Sequence, residues 1–234
     1  MRMRLWPRKA GLLRAYPDLR GTLFIVTYGR SGSTLLQNLL MTIPGCTIRG
    51  ENLNLLEGLW RAERRAVEVR QGFAHLGRHP TQPWFGVEHI RPEAFGAALV
   101  EAFVAQVLAP PPDARWFGFK EIRYSQVGDD LEAYLDFIRA RFPNAHFIFN
   151  TRRGEAVAAS RWWRKRKTAD VLAMVAAMDA RFARYAAAHP DCCFETRYEA
   201  FTAEPEVLRP LFERLGERFD PAAIRAVLER RLTH

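Results

Sequence analysis

The segment that most constrains the fold is an apolar run at residues 22–28, Thr-Leu-Phe-Ile-Val-Thr-Tyr, which ends at Gly29. A short apolar run that stops at a glycine is typical of a strand buried on both faces of a parallel sheet. A helical pattern follows at residues 33–41 and stops before Pro44 and Gly45. This strand, tight loop and helix together predict a sheet that is covered by helices.

The same alternation continues along the rest of the chain. Further strands are predicted at residues 115–120, 145–150 and 192–196. Irregular structure is predicted at residues 72–90, and helices are predicted at residues 51–70, 95–108, 131–142, 154–167, 168–188, 206–215 and 221–232. This order predicts an α/β fold, a single domain with a central parallel sheet flanked by helices. Ligands of such sheets bind beyond the carboxyl ends of the strands, so the chemistry is expected just after residues 28, 119 and 150.

Length and composition agree with one globular domain. The 234 residues, 48% of them hydrophobic, suffice for a buried core. We expect a basic segment at residues 1–20 and the domain at residues 21–234. No apolar run is long enough to cross a bilayer, and no signal-peptide pattern follows the basic N-terminus. The three cysteines form neither a disulfide framework nor a zinc-ligand spacing, so a reduced, cytoplasmic protein without a metal is expected.

The net charge of +9 indicates an affinity for anions. Only four of the 35 basic residues are lysines, and arginine suits bidentate recognition of phosphate and carboxylate. A positive surface would gather anionic substrates, nucleic acid or anionic lipids. A GC-rich genome would produce the same excess of arginine, so the placement of these residues is more informative than their number.

The loop after the first strand has the composition of a phosphate site. Two glycines allow a tight turn with inward N–H groups, and the next helix adds its dipole. The residues expected to bind phosphate are Gly29, Arg30, Ser31, Gly32, Ser33 and Thr34. A Gly-Ser turn with a serine cap is the alternative that needs no ligand. The loop is not a Walker A motif, because its glycines are too close and no lysine follows the second one. Asn150, and not a magnesium-binding Asp, ends the third predicted strand.

Residues 27–36 resemble the 5'-phosphosulfate loop of the sulfotransferases that use 3'-phosphoadenosine 5'-phosphosulfate (PAPS). The likeness is to the Arg-Ser-Gly-Ser-Thr form of the carbohydrate-directed branch, the bacterial and Golgi type. The second family signature is an Arg at a strand end and a Ser eight residues later in the next helix, and Arg152 and Ser160 match it. The resemblance implies that this pair binds the 3'-phosphate, in a fold related to the P-loop nucleotide-binding folds. Tyr198 lies in a segment similar to one near the adenine in the family, although a core aromatic would also suit this position; Leu35 replaces the usual adenine-stacking aromatic.

The resemblance also implies three catalytic residues. Arg30 stands where a loop cation of the family stabilises the leaving oxygen. Glu51 resembles the general base of carbohydrate sulfotransferases, and partial burial is expected to raise its pKa towards the working pH. Lys120 matches the lysine of a Lys-x-His signature in the small-molecule members and is expected to stabilise the transferred group. Ile122 replaces the histidine of that signature, which strengthens Glu51.

Several alternatives remain open at this point. Glu121 and His89 are alternative bases, and Glu51 would also suit the start of a helix without any catalytic role. Residues 161–167 combine two tryptophans with five cations and are expected to face the cofactor or the acceptor in part. The competing functions are a P-loop-type kinase with a degenerate loop, which would need ATP and magnesium, and a non-enzymatic basic module that binds nucleic acid or membrane.

The expected function is transfer of a sulfuryl group from PAPS, which leaves PAP, to a hydroxyl of a carbohydrate or glycolipid. No metal and no nucleic-acid partner are expected, and peripheral association with an anionic membrane stays open. The sequence defines neither the acceptor nor the oligomeric state.

Overall fold

A computed structural model describes residues 10–230. Within this range the centre is a five-stranded sheet whose neighbouring strands all run parallel. The strands are β1 (Gly21–Val26), β2 (Cys46–Arg49), β3 (Trp116–Glu121), β4 (Ala145–Thr151) and β5 (Cys193–Arg197). They lie side by side in the order β2-β3-β1-β4-β5. The predicted α/β fold with a central parallel sheet is confirmed.

Helices connect the strands and cover the sheet. In the described part of the chain the α-helices are α1 (Ala10–Ala15), α2 (Ser33–Leu40), α3 (Leu55–Phe73), α4 (Pro92–Phe103), α5 (Leu131–Arg141), α6 (Gly154–Ala158), α7 (Thr168–Ala188), α8 (Tyr198–Ala203), α9 (Arg209–Arg214) and α10 (Pro221–Leu228). A π-helical stretch, Val104–Leu108, continues α4. Across residues 10–230 there is no helix with the length and apolar character that a membrane span requires.

The core consists of one apolar layer on each face of the sheet. Phe24 of β1 packs edge-on against Phe119 and Phe142, with ring centroids 5.2 Å and 5.0 Å apart. Its neighbours Leu23 and Ile25 point to the opposite face and join a second apolar cluster. All of these side chains are buried, and each contributes about 1.5–3 kcal/mol through the area it removes from water. The alternating side-chain directions along β1 therefore place its apolar residues in both layers.

The carboxyl ends of three central strands meet at one edge of the sheet. β1 lies between β3 and β4, and its last residue, Val26, pairs with Glu121 on one side and Phe149 on the other. The chain leaves β1 towards β2 on one side and later reaches β4 on the other side. Connections that diverge in this way leave a crevice above the strand ends, where ligands bind in open α/β sheets.

Several elements differ from the sequence expectation. The strand β2 was not predicted, because it is four residues long and only Ile48 is buried; its pairing with β3 makes it a strand. The helices α1 and α8 were also not predicted, and the helix expected at residues 206–215 is a 3-10 turn followed by α9. The helix expected at residues 51–70 begins only at Leu55. Residues 1–9 of the expected basic segment and 231–232 of the last expected helix lie outside the described residues.

Candidate active site

The loop between β1 and α2 is shaped by two residues in the left-handed conformation. Arg30 has a φ of 70° and Gly32 a φ of 80°. At Gly32 an added Cβ would lie 2.0 Å from the ring of Tyr198, so a side chain has no room there. The helix α2 begins directly afterwards, at Ser33. Its unpaired first-turn N–H groups therefore lie at the loop, where they favour an anion.

Asn150 holds this loop against the sheet. Its side chain is fully buried at the end of β4, where Nδ2 donates to the carbonyl of Ser31 at 3.0 Å. Its Oδ1 accepts from Thr196 Oγ1 of β5 at 3.0 Å, and its carbonyl accepts from Thr27 Oγ1 at 2.6 Å. The shape of the loop is thus fixed by two neighbouring strands. The sequence identified Asn150 only as the residue that stands in place of a magnesium-binding Asp.

Arg152 connects the loop to the end of β4. Its Nη1 donates to the carbonyl of Arg30 at 2.8 Å, and its guanidinium lies 4.3 Å from the centroid of the Tyr198 ring. The hydroxyl of Tyr28 accepts from the backbone N–H of Arg152 at 3.0 Å. Stacking on the ring and these bonds hold the guanidinium beside the loop. The residues predicted for the two phosphates are therefore neighbours in space.

Ser160 also reaches the loop, but not from inside a helix. The helix α6 ends at Ala158, and Ser160 has an extended backbone (φ −68°, ψ 138°) and caps the 3-10 turn Arg161–Trp163. The expectation that this serine lies inside a helix spanning residues 154–167 is wrong, because a serine readily leaves a helix to cap the next turn. Its side chain still meets the loop, since Arg30 Nε donates to Ser160 Oγ at 3.0 Å.

Glu51 lies across the crevice from the loop, between two cations. Its Oε1 accepts from Lys120 Nζ at 2.7 Å and its Oε2 from Arg123 Nη1 at 2.9 Å. The lysine side chain is 6% exposed, whereas 34% of the Glu51 side chain is exposed. Glu51 therefore faces the solvent of the crevice while its charge is balanced from the protein side.

The two cations determine the ionisation of this carboxylate. Partial burial raises the pKa of Glu51, but the hydrogen bonds and charges of Lys120 and Arg123 outweigh burial and leave the pKa below its ordinary value of 4.5. The expectation of a raised pKa is wrong, since it included burial but not the neighbouring cations. Glu51 is therefore ionised at neutral pH and able to accept a proton.

Glu121 is fully buried and has its acceptor positions occupied. Its Oε2 accepts from the backbone N–H groups of Asn52 and Asn54, both at 3.0 Å. Its Oε1 accepts from the N–H of Ile122 at 2.8 Å and from Arg123 Nη1 at 2.9 Å. The carboxylate thus fixes the turn that follows Glu51.

A cavity of about 550 Å³ brings most of the predicted site residues together. The predicted residues that line it are Gly29, Arg30, Gly32, Ser33, Thr34, Glu51, Lys120, Arg152 and Tyr198. Ser31 is buried beneath the loop, and Ser160 lines an adjoining concavity together with Arg30. His89, proposed as an alternative base, is absent from the lining, and its side chain is 82% exposed. The roles of these residues stay predictions.

Sequence reasoning assigned no role to several residues of the cavity. These are Leu35, Ile122, Arg123, Leu228 and Arg230, whereas Trp162 belongs to residues 161–167, which were expected to face the cofactor or the acceptor in part. Arg123 lies two residues beyond the end of β3, so its position after a central strand could have indicated it. Arg230 comes from the far end of the chain, and no local pattern could have placed it here.

The charges of the cavity suit an anionic ligand beside a proton acceptor. Among the residues that the structure describes, five cations line it, Arg30, Lys120, Arg123, Arg152 and Arg230, against the single carboxylate of Glu51. Arginine and lysine in a partly enclosed cavity bind phosphate and sulfate strongly. Group transfer from an anionic donor to a hydroxyl needs this combination of anion binding and proton acceptance.

A sequence model of the sulfotransferase family matches residues 22–221. The match begins in β1, ends at the start of α10, and so contains the loop, Glu51, Lys120 and Arg152. The chain belongs to the sulfotransferase family. No curated protein sequence matches this sulfotransferase.

Three solved structures are similar to this sulfotransferase. The sulfotransferase domain from the curacin biosynthetic pathway has a TM-score of 0.54 at 18% identity, over 87% of this chain and 76% of that one. Sulfotransferase STF1 from Mycobacterium tuberculosis H37Rv has a TM-score of 0.48 at 16% identity, over 94% and 75% of the two chains. Retinol dehydratase, in complex with androsterone and the inactive cofactor PAP, has a TM-score of 0.44 at 15% identity, over 95% and 68%. The first of these shows that the chain has a sulfotransferase fold.

Proposed function

We propose that this sulfotransferase transfers a sulfuryl group from PAPS to a hydroxyl of a carbohydrate or glycolipid. The observation that carries the proposal is the convergence of Glu51, Lys120, Arg30 and Arg152 on one cavity above the central strands. The cavity thus joins a proton acceptor to a set of anion-binding groups. Neither group alone would indicate transfer.

Two buried polar atoms support a donor with phosphates at both ends. Among the described residues, Ser31 Oγ and Arg152 Nε have no protein hydrogen-bond partner. Other buried atoms of the described residues, such as Gln82 Oε1, also lack a partner, so these two support the proposal through their place at the loop and at the end of β4, where phosphate oxygens would accept from both. The loop from Gly29 to Thr34 would hold the 5'-phosphosulfate, and Arg152 and Ser160 would hold the 3'-phosphate. Tyr198, stacked on Arg152, would lie near the adenine.

The bound donor supplies the sulfuryl group that is transferred. Glu51 would orient the acceptor hydroxyl and take its proton as the new oxygen–sulfur bond forms. Lys120 would donate hydrogen bonds to the sulfuryl oxygens, and Arg30 would stabilise the charge that develops on the bridging oxygen as its bond to sulfur breaks. Because Lys120 and Arg123 hold Glu51 in place before the acceptor arrives, the base is preorganised. Their charges also keep it ionised.

The assignment to the carbohydrate-directed branch rests on two features of the sequence. The loop has the Arg-Ser-Gly-Ser-Thr form, and Ile122 stands where the small-molecule members have a histidine base. A glutamate base at position 51 is consistent with both features. We also propose a cytoplasmic site of action, because Cys46, Cys192 and Cys193 are free thiols, which suits a reducing compartment.

The test uses water as the acceptor, so that it can be carried out before the natural acceptor is identified. The protein is incubated with [³⁵S]PAPS in EDTA, and release of labelled sulfate and PAP is followed by chromatography, alone and with trehalose or glucose added. We expect slow PAP release without metal, faster release with a suitable sugar, and label in that sugar. A protein that leaves PAPS intact but transfers phosphate from [γ-³²P]ATP with magnesium would instead be a kinase.

A further inference from the structure

A cluster of cations next to the active site has no carboxylate partner among the described residues. The basic segment, residues 161–167, exposes Arg161, Arg164, Lys165, Arg166 and Lys167. Within residues 10–230 no carboxylate lies at ion-pair distance from any of these five, whereas many other arginines of the surface are paired. Adjacent unpaired cations repel each other, and a bound anion would relieve that repulsion.

The basic segment is fixed to the phosphate loop. Trp163 Nε1 donates to the carbonyl of Gly29 at 3.2 Å. The ring of Trp162 lies so close to Gly29 that an added Cβ there would meet it at 2.1 Å. The Trp162 side chain is nevertheless 53% exposed. The segment thus presents an aromatic face and its cations at a fixed position beside the reaction centre.

The basic segment and two neighbouring residues form a concavity of about 520 Å³ that adjoins the cavity of Glu51. It is lined by Arg30, Ser160, Arg161, Trp162, Arg164 and Lys165. Arg30 and Trp162 also line the first cavity, so one ligand can occupy both spaces. The volume lies in the range of small-molecule sites, about 300–1,000 Å³.

The first cavity balances most of the charge of the donor without the basic segment. Among the described residues, five cations and the carboxylate of Glu51 line the first cavity, and the buried carboxylate of Glu121 pairs with Arg123, which leaves a balance of about +3. PAPS carries about four negative charges, about two on the 3'-phosphate and one each on the phosphate and sulfate of its other end. Arg30 and Ser160 in the lining of the second concavity are proposed for the donor. Its other cations, Arg161, Arg164 and Lys165, exceed the charge that the donor leaves unbalanced, and they would serve a different anion.

We propose that the second concavity binds a carboxylate or sulfate of the acceptor, which makes the acceptor an acidic oligosaccharide. This inference rests on the proposed function. One sugar ring would lie on the exposed face of Trp162, with its acidic group at Arg164 and Lys165, while a neighbouring hydroxyl reaches Glu51. A single aromatic face in a short, open concavity suits a saccharide better than a nucleic acid, which is bound by successive aromatics along a groove.

The test measures binding to the PAP-saturated protein by isothermal titration calorimetry at physiological salt. The probes are a hyaluronan tetrasaccharide, which carries carboxylates, and chitotetraose, which is neutral and of equal length. We expect the acidic probe to bind at least about tenfold more tightly, as for one or two charge-assisted contacts. The variant Arg164→Ala/Lys165→Ala should lose this preference while its affinity for PAP stays unchanged.

A charge-matched control separates local recognition from overall charge. Arg65→Ala/Arg184→Ala removes two arginines that are 79% and 69% exposed and that line neither cavity. This control should keep the preference for the acidic probe. An equal loss in both double variants, or equal or absent binding of the two probes, would overturn the proposal.

Two further outcomes would also overturn it and leave the proposed function intact. If Arg164→Ala/Lys165→Ala weakens PAP binding, the concavity belongs to the donor. If an oligo(dT) or vesicles of phosphatidylglycerol bind more tightly than the acidic tetrasaccharide, and through the same two residues, the partner is nucleic acid or membrane. Failure of PAP itself to bind would instead count against the proposed function.

Discussion

The substitution Glu121→Gln tests whether the buried carboxylate holds the turn that carries Glu51. The Gln carbonyl can still accept from the N–H groups of Asn52 and Asn54, but the amide NH₂ then faces the N–H of Ile122 and the guanidinium of Arg123. The amide N–H groups would then face two other hydrogen-bond donors at a fully buried position, and neither side would have an acceptor. Hydrogen bonds to a charged group contribute about 1.5–3 kcal/mol each, so we expect the free energy of unfolding to fall by about 3 kcal/mol.

The assay is urea unfolding, followed by the fluorescence of the six tryptophans. Glu68→Gln is the matched control, because that side chain is 55% exposed, and its effect should stay within about 0.5 kcal/mol. The rate at which PAP forms from PAPS should also fall in Glu121→Gln, while the affinity for PAP stays unchanged. Glu121→Asp should restore part of the stability and part of the rate. A Glu121→Gln protein as stable as the control would refute the reasoning, since the turn would then not depend on the carboxylate.

Three further predictions follow from the site. Glu51→Gln should lower kcat by about 10²–10⁴, the usual effect of losing a general base, with PAP affinity near wild type; an unchanged kcat on a competent acceptor would exclude Glu51 as the base. The pKa of Glu51 is lowered from 4.5, so the carboxylate becomes protonated only as the pH falls through that lowered value. Its ion pairs, and the stability that they contribute, are lost over the same pH range. A pH–rate profile should therefore show no loss of Glu51 function between about pH 6 and 8, and an acid limb near neutrality would contradict this. Gly32→Ala should weaken PAP binding at least about tenfold, because the left-handed backbone costs a side chain about 1–2 kcal/mol and the new Cβ displaces Tyr198; unaltered calorimetric affinity would show that the loop tolerates the change.

The central strands could be predicted because their information is local. The strand β1 has four apolar residues in succession, Leu23 to Val26, all six of its residues are buried, and Gly29 follows shortly after its end. The strand β2 has one buried residue in four, so its identity depends on pairing with β3. The end of α6 was missed for a related reason, because Ser160 caps the next turn instead of extending the helix.

The candidate site was predicted residue by residue but not in its interactions. Glu51 and Lys120 could be selected from the sequence, yet their ion pair and the role of Arg123 depend on how β3 lies beside the following turn. That turn contains Leu53 and Asn54 at positive φ, which no composition rule predicts for leucine. Its conformation is stabilised from outside by Glu121, 67 residues further along the chain from Asn54. The lowered pKa of Glu51 follows from this tertiary arrangement.

The measurement that tests the central claim most directly compares the binding of PAP and AMP by calorimetry in EDTA. The two nucleotides differ only in the 3'-phosphate, for which Arg152 and Ser160 are proposed. We predict that PAP binds at least about tenfold more tightly than AMP, and that Arg152→Ala removes most of this difference by deleting a charge-assisted contact. Equal affinities of the wild-type protein for PAP and AMP would contradict the account.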